Sequence, residues 1–371
     1  MATVLLYKGA SRFLFFVFFC HVIISVHAQP RLSDNLSLSI GYHYGFILPE
    51  YSNFIYLVEK PVQSVSVDIS KKTTGTNDWE QLYHYPEYGL SLFYSTLGND
   101  QVNGREIALV PFFKLNIISG KRFDFYNQTA LGLGYATRRF DLENNYLNVA
   151  IGSHVNIHFN FKLGIDYKTA DRIQWHSGLA FDHLSNCNTK EPNLGLNYVT
   201  FFTGVRYRVG DKSEQQVREV TPHQAGYHYE FIYSPGGKYP RAVGSQMYFT
   251  SSGTFEFKWE AFKALHFGIG SDLFYDASTE AEMLTLEKKN FRKLYNFRSG
   301  IHLSQQLIYN KLSLILQEGF YLLLTDHVEK HVMYNRGIVR FRASDHFFVQ
   351  LGMKSHLQIL DYPEFGLGVK W

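Results

Sequence analysis

Across residues 148–162, apolar and polar side chains alternate almost residue by residue. Val149, Ile151, Val155, Ile157, Phe159 and Phe161 fall on one side of an extended chain. Asn148, His154, Asn156, His158, Asn160 and Lys162 fall on the other. Successive strand residues point to opposite faces, so such a run is a strand with one apolar and one polar side. The pattern recurs at 122–137, 264–275 and 336–343, and helical spacing is rare. The chain must therefore build antiparallel sheet and find an apolar medium for many strand faces.

Alternation leaves that medium open, because the apolar face could meet a protein core or lipid. The N-terminal segment narrows the choice. Lys8 and Arg12 form a short basic region, residues 13–26 are almost unbroken apolar, and Val26-His27-Ala28 reads as a small-residue cleavage site before Gln29. This is the layout of a secretory signal peptide removed after Ala28, and the apolar run is short for a membrane-spanning helix. Cys20 lacks the small neighbours of a lipoprotein cleavage site, so no lipid anchor is expected. Only Cys187 lies beyond this segment, which excludes an intramolecular disulfide framework. A net charge of +3, scattered along the chain, excludes the basic block of a nucleic-acid binder.

Aromatic content completes the argument. Phe, Tyr and Trp make up 17% of residues, and no apolar run past residue 28 is long enough for a transmembrane helix. That composition fits a barrel with aromatic girdles at two membrane interfaces. The last residues, Glu364-Phe365-Gly366-Leu367-Gly368-Val369-Lys370-Trp371, put Phe365, Leu367, Val369 and Trp371 on one face and resemble a C-terminal outer-membrane insertion signal. An exposed apolar edge would invite aggregation unless barrel closure paired it. The expected fold is all-β, an antiparallel transmembrane β-barrel in a bacterial outer membrane.

Roughly sixteen strand-like segments can be counted, about eight of them before Gly210. Residues 211–224 are polar, without alternation, and read as a linker. Gly41-Tyr42-His43-Tyr44-Gly45-Phe46-Ile47 matches Gly226-Tyr227-His228-Tyr229-Glu230-Phe231-Ile232 at all but one position, which suggests duplication of an eight-stranded unit. The organisation expected is a signal peptide over 1–28, a first barrel unit over 29–210, the linker, and a second unit or half over 225–371. One fused barrel and two small barrels both satisfy it.

One segment departs from the pattern. In residues 172–185 the apolar face carries Ile173, Trp175, Ser177, Leu179 and Phe181, then ends on His183 and Ser185. Polar groups facing lipid are costly unless partnered. After a turn-rich stretch, residues 194–209 form another strand with Asn197 on its apolar face. A simple hairpin centred near Lys190 sets His183 opposite Asn197, and directly opposed side chains are neighbours. Ser185, His183 and Asn197 then converge as nucleophile, base and orienting group, with N–H groups near Asn186 available to an oxyanion. With a periplasmic N-terminus, this is a seventh strand ending at the outer leaflet.

His183-Leu184-Ser185-Asn186, followed by Lys190, Pro192-Asn193, Gly195 and position 197, resembles the signature of the PagL-type lipid A 3-O-deacylases. The resemblance covers the signature and, more loosely, residues 29–210. It implies an eight-stranded outer-membrane barrel that hydrolyses an acyl ester of lipid A. By it Ser185 is the nucleophile, His183 the base and Asn186 an oxyanion-region residue. The family pattern has glutamate where this chain has Asn197. Asparagine can orient histidine but cannot offset an imidazolium charge, and Glu191 is a carboxylate in the neighbouring loop. The function expected is a serine esterase acting on lipid A or a related outer-leaflet lipid, without metal or organic cofactor. A porin, adhesin or structural barrel is the alternative, favoured by Asn197 and by the polar face of the second half.

The remaining candidates read as structural. His154 and His158 form a polar lumen stripe whose spacing on a strand is too wide for shared metal ligation. Glu280 and Glu282 read as a solvated loop, and Cys187 as an incidental thiol. His356-Leu357-Gln358, near the end of a penultimate strand, looks like a silent echo of His183-Leu184-Ser185.

Overall fold

The computed structural model describes residues 34–49, 57–240, 246–324, 331–356 and 359–371. The signal-peptide segment lies outside the described residues.

Alternation becomes two closed antiparallel barrels. The first comprises β1 (Leu36–Leu48), β2 (Val62–Lys72), β3 (Glu87–Thr96), β4 (Arg105–Ser119), β5 (Phe123–Ala136), β6 (Val155–Lys168), β7 (Ile173–Ser185) and β8 (Leu196–Arg208). Each strand pairs with the next, and β8 closes on β1 from Ser37–Arg208 to Leu48–Asn197. The second comprises β9 (Gly226–Lys238), β10 (Tyr248–Glu260), β11 (Leu265–Asp276), β12 (Phe297–Tyr309), β13 (Leu312–Leu324), β14 (Met333–Arg342), β15 (Phe347–His356) and β16 (Ile359–Lys370). It closes through β16 on β9, so the apolar C-terminal strand is paired on both sides. Two small barrels, rather than one fused barrel, resolve the alternative left open by the sequence.

The outer faces are apolar. On β1, Leu38, Ile40, Tyr42, Tyr44 and Phe46 point outward and are exposed, while Ser39 and His43 point inward and are buried. An outward apolar band without a protein cover is the surface a bilayer requires. Phe365, Leu367 and Trp371 continue it around the second barrel.

The lumens are filled with charged and aromatic side chains, as expected where eight strands leave room for side chains and little else. In the first barrel Arg206 bonds Glu87 and Asp166 at 3.2 Å each, and Lys114 bonds Asp166. His158 sits between Glu106 (2.7 Å) and Asp182 (3.1 Å). In the second, Arg336 reaches Asp272 (2.9 Å) and Glu364 (3.2 Å), and Arg340 reaches Glu230 at 2.8 Å. Buried ions need such partners, because an uncompensated one costs several kcal/mol, about 3–5 when a pair is broken. Packing of this kind argues against the polar face of the second half lining an open pore.

The heptapeptide match corresponds in face but not in depth. Both copies lie on the first strand of a barrel with His43 and His228 pointing inward. The first copy starts opposite Ser66, well inside β1, whereas Gly226 begins β9 opposite Glu260. A strand rises ~3.3 Å per residue, so the copies sit at different levels and do not mark equivalent positions.

The barrels touch near both ends. At the end where β1 begins, termed the inner end, the β2–β3 connection carries α1 (Asp78–Leu82). Asp78 bonds Lys263 between β10 and β11, and Arg218 of the linker at 2.7 Å. The Lys263 hydrogen bond holds the Asp78 carboxyl below its ordinary value. Tyr83 stacks on Tyr309 with ring centres 4.5 Å apart and donates to Ala264 O at 3.1 Å. At the outer end, α2 (Thr279–Thr285) occupies the β11–β12 connection. There the solvated-loop reading of Glu282 is corrected. Its carboxylate is bonded to Lys238 at 2.9 Å, and Lys238 also reaches Asp276 and Asp361 at 3.1 Å each. Helix α2 turns Glu282 toward the barrel mouth, an orientation that sequence spacing did not reveal.

Candidate active site

Strand β7 runs from Ile173 at the inner end to Ser185 at the outer rim, and β8 returns from Leu196. Their register pairs His183 with Asn197, as the hairpin spacing predicts. Inward positions on β7 are His176, Ala180, Asp182 and Leu184, all buried. The outward set passes from exposed Ile173, Trp175 and Leu179 to His183 and Ser185. The polar pair thus lies on the lipid-side face at the rim.

Three side chains form a line there. His183 Nδ1 is 2.6 Å from Asn197 Oδ1, and His183 Nε2 is 2.8 Å from Ser185 Oγ. With Asn197 Oδ1 accepting, the ring proton sits on Nδ1 and Nε2 is left to accept from the serine hydroxyl. This is the tautomer a general base needs. Ser185 is only 6% exposed, so the hydroxyl is recessed beside the ring.

Gly195 makes the arrangement possible. Its φ is +77°, and a Cβ there would lie 2.9 Å from His183 Cε1 and 3.5 Å from Ser185 Cβ. A side chain would push into the imidazole, and glycine also tolerates this left-handed backbone. The residue belongs to the quoted signature, but spacing alone gave it no role.

Asn186 is more committed than expected. Its backbone N–H donates to Asn193 Oδ1 at 2.9 Å, and its Nδ2 donates to Lys190 O at 2.7 Å. The backbone N–H therefore serves the loop. An amide nitrogen carries two hydrogens, so the second N–H on Asn186 Nδ2 is the group this residue can still offer an oxyanion. Glu191 accepts from Asn193 N–H at 3.1 Å and so takes part in shaping the same loop. Lys190 O and Pro192 O lie where a Cβ on Gly152 would be, at 2.7 and 2.5 Å. Leu194 and Gly195 bond the carbonyls of Val149 and Ala150 at 3.2 and 3.0 Å. The loop before β6 thereby braces the one after β7.

The other candidates separate from this site. His158 is a lumen residue held by two carboxylates, and His154 bonds Ala136 O at 2.8 Å. No three His, Cys, Asp or Glu among the described residues are grouped to hold a metal ion. Cys187 is buried beside Met353 of the second barrel, and burial pushes its thiol up to about 11. His356 departs from the echo reading. It points into the second lumen, with Nε2 2.9 Å from Tyr321 Oη, one face away from the His183 arrangement. Leu357 and Gln358 lie outside the described residues. A cavity of about 840 Å³ opens at the inner mouth of the first barrel, near Lys72, Asp124 and Arg208, at the opposite end from Ser185.

Two family models match this chain. The one described as lipid A 3-O-deacylase (PagL) matches residues 63–206, which include β7, the loop and nearly all of β8. The one described as acyloxyacyl hydrolase, C-terminal domain, matches residues 227–371, the second barrel. No curated protein matches the chain. Similar solved structures include Neisserial surface protein A, 10% identical with a TM-score of 0.32, covering 47% of this chain and 97% of its own. The outer membrane enzyme PagL is 15% identical with a TM-score of 0.30, covering 45% and 97%. A mutant Rh. blastica porin is 8% identical with a TM-score of 0.18, covering 91% and 100%.

Proposed function

We propose that this chain, which belongs to the PagL lipid A 3-O-deacylase family, removes an ester-linked acyl chain from lipid A by a serine mechanism at Ser185. The family is one of ester hydrolases of the outer membrane acting on lipid A. The mechanism and its residues are the present reading. The observation that carries it is the hydrogen-bonded line from Asn197 through His183 to Ser185 on the lipid-side face.

In this reading an acyl ester enters from the outer leaflet. His183 Nε2 takes the hydroxyl proton as Ser185 Oγ attacks the ester carbonyl. The tetrahedral oxyanion is met by the remaining Asn186 amide hydrogen. Collapse breaks the bond to the sugar oxygen, which leaves with the proton from His183. Water, activated by the same imidazole, then releases the fatty acid and restores Ser185. Asn197 keeps the ring in the productive tautomer but brings no charge to balance the imidazolium. Removal of residues 1–28 on export belongs to the same reading.

Mass spectrometry of lipid A from cells expressing the wild type or Ser185→Ala tests it. Loss of one acyl chain with the wild type alone is expected. Equal deacylation by both proteins, each inserted in the membrane, would remove Ser185 from the role.

A further inference from the structure

The turn after Ser185 is held by more than its own barrel. Cys187 and Asn188 both adopt left-handed backbone, with φ of +55° and +56°. This conformation aims both side chains at the second barrel. Asn188 Nδ2 donates to the main-chain carbonyl of Asp361 at 2.9 Å and lies 3.4 Å from that of Tyr239. Cys187 Sγ packs 3.6 Å from Met353 Sδ. Both loop residues are buried, at 6% and 8% exposure.

The receiving surface is itself fixed. Asp361 is bonded by Lys354 at 2.7 Å and by Lys238 at 3.1 Å, and Lys238 also holds Glu282 of α2 at 2.9 Å. On the other side, Thr189 N–H donates to Asn186 Oδ1 at 3.1 Å and Thr189 Oγ1 to Asn186 O at 2.7 Å. Polar contacts on either side of the Asn188–Thr189 peptide thus link the mouth of the second barrel to Asn186, the residue beside Ser185.

We propose that the second barrel is a docking platform for the catalytic loop, with Asn188 as the positioning residue that seats the loop on the Asp361 and Tyr239 carbonyls. The proposal rests on the reading of Ser185 as nucleophile. It gives the second barrel a task in the reaction without a catalytic group of its own. Positioning errors of about 1 Å can cost ~10²-fold in rate, so a loop secured on one side only would turn over slowly.

The test uses the exported protein inserted in the membrane, whose thiol beyond residue 28 is Cys187. Asn188→Gly keeps the left-handed backbone accessible and removes the side chain that carries the docking amide. The expected result is a rise of about tenfold or more in maleimide labelling of Cys187, because an undocked thiol becomes accessible. Deacylation kcat should fall about tenfold while KM stays within about twofold, since the lipid-facing surface is untouched. Met353→Ala, which thins the packing from the platform side, should raise labelling as well. Unchanged labelling in Asn188→Gly would overturn the proposal, and so would increased labelling with unchanged kcat. Ser185→Ala separates the two ideas. It should label as slowly as the wild type while losing deacylation, and persistent deacylation there would refute the nucleophile but not the docking.

Discussion

The seventh strands of the two barrels end at comparable rims and do opposite things with a histidine. On β7, His183 faces outward, between Asn197 and Ser185. On β15, His356 faces inward, among Tyr321 and Lys354. A step of one residue along a strand carries a side chain from lipid to lumen. A shift in β15–β16 pairing at Lys354/Ser355 marks the same place. Similar tripeptides therefore yield an imidazole hydrogen-bonded to a serine hydroxyl in one barrel and a packing residue in the other. Strand phase, more than residue type, separates the barrel read as catalytic from the barrel read as supporting.

The widest gap between the two should come from paired variants. Ser185→Ala is expected to lower deacylation by at least ~10³-fold, the scale seen when a triad nucleophile is lost. His356→Ala should leave it within about twofold, because the ring packs inside the second lumen. A comparable loss in both, measured on inserted protein by lipid A mass spectrometry, would break the division of labour between the barrels.

Gly195→Ala comes next. The added methyl would meet His183 Cε1 and needs an unfavourable φ. Displacing the imidazole from Ser185 should lower kcat by about 10²-fold, with the folded barrel retained in heat-modified electrophoresis. Full activity would mean that the ring can retreat without losing the hydroxyl.

These two predictions also show how far the sequence could be read. Alternation assigned a face to nearly every strand residue, and a hairpin centred near Lys190 put His183 opposite Asn197 without any structure. Both inferences use local rules, namely two-residue periodicity and antiparallel register. Depth and long-range partners were not legible. The carboxylates around His158 come from β4 and β7, and their meeting depends on the stagger of a closed barrel. Which N–H of Asn186 is left for an oxyanion was not legible either, because Asn193 accepts its backbone N–H from across the loop. Asn188 and Asp361 are 173 positions apart, so no pattern in the chain announces that contact. The heptapeptide match pointed to a repeated eight-stranded unit but not to the level of its copies, since periodicity fixes side and not level.

Asn197→Glu sharpens the comparison within the first barrel. A carboxylate would stabilise the imidazolium formed during attack, and opposite charge favours the protonated ring. Provided the longer side chain still reaches Nδ1, kcat at neutral pH should rise by about tenfold. The acidic limb of the pH–rate profile should move to higher pH. A drop in kcat, with the limb unmoved, would indicate that the neutral amide is the better-fitted orienting group here.

The smallest effect concerns the inner-end contact between the barrels. Asp78, partly exposed, has its carboxyl lowered from 3.8, chiefly by the hydrogen bond from Lys263. A depressed carboxylate adds stability that is present above its unfolded value and lost as pH falls through the folded one. The Asp78–Lys263 contact should therefore hold at neutral pH and weaken below about pH 4. Exposed pairs contribute little and are screened by salt, so Asp78→Asn should produce only a slight drop in thermal stability at pH 7 and none at pH 3. Deacylation should not change, because the outer-end contact through Asn188 remains. A large activity loss in Asp78→Asn would shift the coupling between barrels from the outer rim to the inner one. The platform would then act through overall barrel orientation and not through the loop.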